Sequence, residues 1–231
     1  IQTKLKMEKI IKKKGHLVIN ADDKILSENN FSISNISAFK NTDLTSSEID
    51  LKSILLIGEH NYSNISAAIS ISELFNISRK TIIESITSFK CLPNRLELLC
   101  TINGARVYND SKATNIQSML MAIESIENDI ILIVGGHDKG DTDFSCVFDK
   151  YINKISFISC YGKSGKKIHS QISNKINSSY KQIFKDAVMD AISNINNDCT
   201  LLLSPGCASF DQFENYEQRG KAFKDILIGL A

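Results

Sequence analysis

The second half of the chain alternates short apolar runs with amphipathic stretches. Apolar runs at 130–134, 155–160 and 199–203 have the length of buried strands, and residues with an apolar stripe at helical spacing lie between them. A further alternating run, 96–107, is interrupted by Asn103-Gly104, a dipeptide typical of a hairpin turn. The pattern predicts an α/β fold with a mostly parallel sheet covered by helices on both faces.

The amphipathic stretches of this half predict its helices. These cover residues 116–126, 144–151, 162–172 and 187–195. A separate final helix carries Phe223, Ile226, Leu227 and Leu230 on one face.

The first ninety residues show weaker patterns. They predict a helix over 5–14, strands over 16–20 and 51–57, and two helices after Gly58, the second capped by Ser78. Residues 27–48 suggest only edge strands and turns. Pro93 ends the last of these helices and divides the chain into predicted domains 1–91 and 92–231.

Composition narrows the class of protein. The chain is 42% hydrophobic and 23% charged with a net charge of +1, which gives no reason to expect nucleic acid or a membrane as partner. Its six cysteines form no C-x-x-C pair, so we expect free thiols in a cytoplasmic protein. Separately, we expect the protein to be a monomer. Since the chain opens on Ile1 rather than Met, we expect its natural start to lie elsewhere.

Polar and glycine-rich segments follow three of the predicted strands. They are 109–115, 135–140 and 204–209, and the carboxyl ends of parallel strands form a ligand-binding crevice. Lys139 offers a compact cation, and Ser209 could bind an anion. Ordinary loops with a capping Thr114 or Asn115 are the alternative. No G-x-S-x-G is present, so we do not expect covalent catalysis.

Five segments together resemble sequence motifs of the Mur ligase family, in the form that its D-glutamate-adding members have. They are Gly58-Glu59-His60-Asn61 with Asn64, Leu92-Pro93-Asn94-Arg95-Leu96-Glu97, Asn109-Asp110-Ser111-Lys112-Ala113-Thr114-Asn115, Gly135-Gly136-His137-Asp138-Lys139-Gly140, and 203–213 running on to Asn215-Tyr216-Glu217-Gln218-Arg219-Gly220. They occur in the family's order and span most of the chain.

The resemblance implies an ATP-dependent ligase of peptidoglycan synthesis, with UDP-N-acetylmuramoyl-L-alanine and D-glutamate as substrates. It implies that 1–91 is the C-terminal end of a central ATPase domain and that 92–231 is a Rossmann-like domain that binds glutamate. By motif, Asn64, Arg95 and Asp110 would hold the adenine and ribose. Lys112, as the catalytic residue, and Thr114, Lys139, Ser209 and Tyr216 would surround the glutamate. The ligands of the family's Mg²⁺ would lie upstream, with no metal site in this chain.

Two residues depart from the family's pattern, and one of its motifs is absent. Asn94 stands where the family usually has histidine, and Tyr216 where it usually has phenylalanine. No phosphate-binding G-x-x-x-x-G-K-[ST] occurs, so we expect the C-terminal part of a ligase that does not hydrolyse ATP alone. A related ligase for another amino acid and a non-catalytic binding module remain alternatives, which the reading frame upstream of Ile1 would separate.

Overall fold

A computed structural model describes residues 5–12, 14–45, 49–140, 142–196 and 198–230. The chain divides into two compact units, Ile1–Lys90 and Cys91–Ala231, and each is described by itself. Among the described residues, no helix has both the length and the apolar character needed to cross a membrane.

The first unit contains a pair of parallel strands. Its elements are a 3-10 helix Lys6–Ile10, β1 Leu17–Asn20, α1 Lys24–Ser27, β2 Ile36–Phe39, α2 Asn41–Thr45, a 3-10 helix Leu51–Ser53, α3 Glu59–Leu74 and α4 Arg79–Ser88. Leucine and isoleucine side chains of α2, α3, α4 and the segment before α3 form its core. The Ser78 hydroxyl accepts a hydrogen bond from the Thr81 N–H and caps α4 as predicted.

The second unit is built on one six-stranded sheet. Its elements are β3 Glu97–Ile102, β4 Ala105–Asn109, α5 Ile116–Ser125, β5 Asp129–Gly135, a 3-10 helix Asp149–Tyr151, β6 Ile155–Tyr161, α6 Gly162–Ile172, β7 Ser178–Lys181, α7 Phe184–Ser193, β8 Cys199–Gly206 and α8 Tyr216–Ile228.

The strand order of this sheet is β3-β4-β8-β5-β6-β7. All neighbours run parallel except β3 and β4, the predicted hairpin, in which Asn103 and Gly104 have φ values of 48° and 87°. Positive φ at both positions is what a tight two-residue hairpin turn requires. The central strands β5 and β8 are buried along nearly their whole length because helices cover both faces, which confirms the predicted mixed, mostly parallel sheet.

Alternation along the central strands assigns the two layers of helices. Ile131 and Ile133 of β5 pack in one cluster with Phe184 and Val188 of α7 and with Phe223 of α8. Because successive strand residues point to opposite faces, the neighbouring β5 residues face the layer of α5 and α6. Because β4, β8 and β5 run parallel, the loops that follow them emerge at the same edge of the sheet.

Five details of the predicted secondary structure were wrong. One is Asn41–Thr45, a helix within residues 27–48, where edge strands and turns were expected. Residues 144–151 form turns and a short 3-10 helix rather than the predicted helix, and Phe144, Phe148 and Tyr151 are buried in this segment. The segment 51–57 begins as a 3-10 helix because the Asp50 carboxylate caps it at the Lys52 N–H. Among the described residues of 5–14, Lys6–Ile10 forms a 3-10 helix instead of the predicted amphipathic helix. Strand β7 was missed because an edge strand can be polar.

We expect trypsin to cut the folded chain first after Lys90. This residue is exposed and lies between α4 and β3, outside any helix or strand. Arg95 is also exposed, but the backbone around it is held by hydrogen bonds from the N–H groups of Asn94, Arg95 and Leu96. Mass spectrometry of a limited digest should show a resistant fragment starting at Cys91, and first cleavage after Arg95 would contradict this.

Candidate functional site

Three polar loops adjoin one another at the carboxyl edge of the second unit's sheet. We call them the β4 loop (110–115), the β8 loop (207–215) and the β5 loop (136–140). The Gly206 N–H donates to the Ala113 carbonyl at 3.0 Å, which joins the end of β8 to the β4 loop. His137 and Ala208 exchange backbone hydrogen bonds of 2.7 and 3.0 Å, which joins the β8 and β5 loops.

Each loop carries one of the predicted glutamate-binding residues. Thr114 is half-buried in the β4 loop, the Ser209 side chain is 2% exposed in the β8 loop, and Lys139 is exposed in the β5 loop. Because β8 lies between β4 and β5 in the sheet, Ser209 belongs to the middle loop. The structure thus places these residues on adjoining loops, whereas their role in binding stays a prediction.

Both lysines of the site lie near aromatic rings. The Lys112 Nζ is 3.8 Å from the centroid of the Tyr216 ring, and the Lys139 Nζ is 5.9 Å from that of Phe210. An ammonium group over a ring face is attracted by the ring's quadrupole. Lys112 and Tyr216, 104 residues apart in the sequence, are also linked through Ser111, whose hydroxyl donates to the Tyr216 carbonyl at 2.8 Å.

The end of β5 and the start of the β5 loop lie too close to the backbones of Tyr161 and Ala208 for side chains at two positions. A Cβ on Gly135 would lie 2.0 Å from the Tyr161 carbonyl oxygen, and one on Gly136 would lie 2.3 Å from that of Ala208. Asp138 shapes the rest of the loop, since its carboxylate accepts hydrogen bonds from Gly140 N, Thr142 N and Thr142 Oγ at 3.1–3.2 Å. Lys139 is therefore presented by a loop of defined shape.

A buried arginine beneath the loops connects them. Arg219 has no solvent exposure, and its guanidinium donates to Ser111 Oγ (2.9 Å), the Ser111 carbonyl (2.7 Å), the Cys207 carbonyl (3.1 Å) and Tyr161 Oη (3.1 Å). These acceptors belong to the β4 loop, the β8 loop and the end of β6. All four hydrogen bonds go to hydroxyls and carbonyls rather than to a carboxylate.

The sequence reasoning assigned no role to Arg219. Its signal was its position, four residues before Phe223 on the buried stripe of α8, where a charged side chain requires polar partners. Burial raises the pKa of the Tyr161 phenol to about 12, against the lowering effect of the Arg219 charge. The phenol is therefore neutral and can accept from the guanidinium.

Asp110 occupies the start of the β4 loop and is almost fully buried. Its Oδ2 accepts from the Ser204 hydroxyl at 2.8 Å and its Oδ1 from the Leu96 N–H at 3.3 Å. Burial raises its pKa to about 7, although these hydrogen bonds and the charges of Arg95 and Arg219 act in the opposite direction. Arg95 itself is exposed.

The remaining predicted nucleotide residue lies in the first unit. Asn64 is exposed on α3, and its side-chain N–H₂ donates to Asn61 Oδ1 at 3.4 Å. His60, on the same helix, has its pKa lowered by burial.

The two buried cysteines nearest to the site are neutral thiols. Burial raises the pKa of Cys207 to about 12 and that of Cys160 further, so both are neutral thiols. Within the described ranges, no group of three or more His, Cys, Asp and Glu side chains is placed to hold a metal ion.

Comparison with known proteins identifies relatives of both the sequence and the fold. Residues 94–207 match the family described as Mur ligase, glutamate ligase domain. The UDP-N-acetylmuramoylalanine--D-glutamate ligase of Caldicellulosiruptor bescii is 35% identical over 93% of this chain and 47% of its own length. The chain thus spans about half the length of this curated relative.

Solved structures share the fold at low sequence identity. The UDP-N-acetylmuramoylalanyl-D-glutamyl-2,6-diaminopimelate--D-alanyl-D-alanyl ligase of Acinetobacter baumannii aligns with a TM-score of 0.72 and 15% identity, over 98% of this chain and 54% of its own. The MurF ligase of Thermotoga maritima, solved in complex with ADP, aligns with a TM-score of 0.69 and 14% identity, over 100% and 58%.

We expect Arg219→Met to lower the free energy of unfolding by about 2–5 kcal/mol, since two buried carbonyls would lose their charged donor. Urea denaturation measures this loss. Lys221→Met, on the exposed side of the same helix, is the control and should change stability by less than about 1 kcal/mol. Unchanged stability of the Arg219 variant would show that its hydrogen bonds contribute little.

We expect Asp110→Asn to change how stability depends on pH. A carboxyl with a folded pKa near 7 and an unfolded pKa near 3.8 contributes stability that is present at low pH and lost as pH rises through 7. The asparagine variant lacks this loss, so its stability relative to wild type should rise by about 1.4 kcal/mol per pH unit between pH 5 and 7.

Urea denaturation at pH 5, 6, 7 and 8 tests the expected dependence. Asp129→Asn, at an exposed aspartate of the same unit, is the matched control. Parallel stability curves for wild type and Asp110→Asn would show that Asp110 is ionised throughout this range.

Proposed function

Because the chain belongs to the Mur ligase family, we propose that it forms the glutamate-binding part of an ATP-dependent ligase that joins D-glutamate to UDP-N-acetylmuramoyl-L-alanine in peptidoglycan synthesis. The name of the Caldicellulosiruptor bescii relative supports this substrate pair. The observation that carries the proposal is the cationic and hydroxyl-rich edge formed by the β4, β8 and β5 loops.

The reaction has two steps. ATP transfers its terminal phosphoryl group to the carboxylate of the UDP-sugar substrate, which gives an acyl phosphate and ADP. The neutral amine of D-glutamate then attacks the carbonyl carbon, so that a C–N bond forms, the C–O bond to phosphate breaks, and the amine loses a proton. The second step needs an amine held in line with the acyl phosphate, and orientation of this kind accelerates a reaction strongly.

The two lysines of the site are suited to D-glutamate. With its amine neutral, this amino acid carries two carboxylates, and Lys112 and Lys139 offer one ammonium each on the two loops that flank the β8 loop. We assign Lys139 to a carboxylate of the incoming glutamate. We assign Lys112 to the reacting end, where its charge would stabilise negative charge that develops on the attacked carbonyl.

Hydroxyl groups complete the proposed pocket. Thr114 and Ser209 can each donate one hydrogen bond to a carboxylate oxygen, and the Ser209 hydroxyl lies in the middle loop of the three. Tyr216 would contribute through its ring, which holds Lys112, and its hydroxyl is a further donor.

We assign the nucleotide to the side of the site where Asp110 lies. A carboxylate has about four acceptor positions, and the Leu96 N–H and Ser204 hydroxyl occupy two of them in Asp110, which leaves room for ribose hydroxyls. Arg95 is exposed beside this turn, with a planar guanidinium suited to stacking on a base. Asn64, in the other unit, is assigned to the nucleotide by its motif alone.

The family's Mg²⁺ does not fit the residues of this chain that the structure describes. In these ranges no group of three or more His, Cys, Asp and Glu side chains comes together to hold a metal ion. We therefore assign the metal no step here.

Binding of D-glutamate to the isotope-labelled chain tests the proposal. On titration, amide signals of the β4, β8 and β5 loops should shift in the NMR spectrum, and L-glutamate should shift them much less. Larger shifts with meso-diaminopimelate than with D-glutamate would favour a ligase for another amino acid. Shifts confined to other parts of the chain, or none, would contradict the proposed pocket.

We expect Lys139→Ala to weaken D-glutamate binding about 10-fold or more, because a charge-assisted contact contributes roughly 1.5–3 kcal/mol. The dissociation constant from the same titration measures the effect. Lys185→Ala removes the same charge from an exposed position of α7 and should leave binding unchanged. If ADP binding weakens instead while D-glutamate binding holds, Lys139 is a nucleotide residue and the pocket is misplaced.

A further inference from the structure

The turn before β3 contains a buried asparagine with an unusual backbone conformation. Asn94 is 8% exposed and has a φ of 64°, in the left-handed region. Leu96, two residues later, also has a positive φ of 45°. Such conformations are uncommon outside glycine, although asparagine, aspartate and histidine adopt them several-fold more often than other residues. This turn carries Arg95 between its two left-handed residues.

Asn94 makes hydrogen bonds in three directions. Its N–H donates to Glu97 Oε2 at 2.9 Å, its side-chain Oδ1 accepts from Asn109 Nδ2 at 2.9 Å, and its carbonyl accepts from the Lys112 N–H at 3.1 Å. Asn109 in turn accepts from the Ser111 N–H at 3.1 Å. The turn of Arg95 is thus fastened to the β4 loop directly at the Lys112 N–H, and through the Asn109 side chain it is linked to the Ser111 N–H.

A glycine of α8 makes room for this arrangement. A Cβ on Gly220 would lie 1.8 Å from Asn94 Oδ1 and 3.1 Å from Asn109 Nδ2. Glu97, which accepts from Asn94, also pairs with Lys224 of the same helix at 2.6 Å. We call these four residues, Asn94, Glu97, Asn109 and Gly220, the Asn94 cluster.

We infer that Asn94 is a positioning residue that fixes Arg95 on the nucleotide side relative to Lys112 on the amino-acid side. Arg95 adjoins Asn94 in the chain, and Lys112 is held through its backbone N–H by the Asn94 carbonyl. A change at position 94 therefore moves both residues together. The effect on ligands rests on the proposed function, whereas the effect on the Lys112 backbone does not.

Two substitutions separate the backbone contribution of Asn94 from that of its side chain. Asn94→Gly keeps easy access to positive φ but loses the hydrogen bond to Asn109, and Asn94→Ala loses both. Gly220→Ala disturbs the same cluster from α8, because its Cβ would clash with Asn94 Oδ1. Val188→Ala, at a buried core position of α7, is the control for a general loss of stability.

Hydrogen exchange of the labelled chain tests the inference without any ligand. In Asn94→Ala, exchange at the Lys112 and Ser111 amides should rise at least 10-fold more than at core amides such as Ile131, with Asn94→Gly intermediate and Gly220→Ala similar to Asn94→Ala. In Val188→Ala, these two amides should show no such excess. An equal rise at all amides in Asn94→Ala, or none, would overturn the inference.

Binding provides the second readout. Asn94→Ala should weaken both ADP and D-glutamate about 5-fold or more, and Val188→Ala neither. Weakening of only one ligand would show that Asn94 does not fix the two sides relative to each other. If the wild-type chain binds neither compound, the proposed function fails, and the exchange comparison still decides whether Asn94 positions Lys112.

Discussion

The candidate site depends on one buried charge, the guanidinium of Arg219. Burying an ion without a carboxylate partner is unfavourable unless hydrogen bonds replace its water shell. The four acceptors from Ser111, Cys207 and Tyr161 supply this replacement. A planar fork of five N–H groups can reach three separate segments at once, whereas a lysine ammonium acts as a point charge. The arginine therefore fixes the loops that carry Lys112 and Ser209 before any ligand arrives.

The same charge contributes to the electrostatics of the edge. Arg219 lies beneath the β4 and β8 loops, and Lys112 and Lys139 lie on the β4 and β5 loops. Three positive groups at one rim, two of them on the loops and one below, favour an anionic ligand. Asp110 carries only about half of a negative charge at neutral pH, since its pKa is raised to about 7 by burial. Rigid loops and a positive rim suit a dianionic amino acid whose amine must be held in one orientation.

Sequence reasoning predicted the parts of this design that depend on local pattern. Apolar runs identified β5, β6 and β8, Asn103-Gly104 identified the hairpin, and strand ends identified the polar loops. It did not predict the contacts that hold the loops together, because Arg219 and Ser111 are 108 residues apart and only the complete fold brings them into contact. The prediction for the short segment 51–57 was wrong for a different, local reason, since the capping carboxylate of Asp50 starts a 3-10 helix there.

The two departures from the family's pattern each keep the physical property that their position requires. At position 94 the backbone is left-handed, and histidine and asparagine are both among the residues that tolerate this conformation. At position 216 the ring face receives the Lys112 ammonium at 3.8 Å, and phenylalanine and tyrosine both present such a face. What the positions select is therefore a backbone conformation and a ring face rather than a particular side-chain functional group. On this argument, an imidazole at position 94 is dispensable for the turn, whereas an alanine there would strain the left-handed backbone.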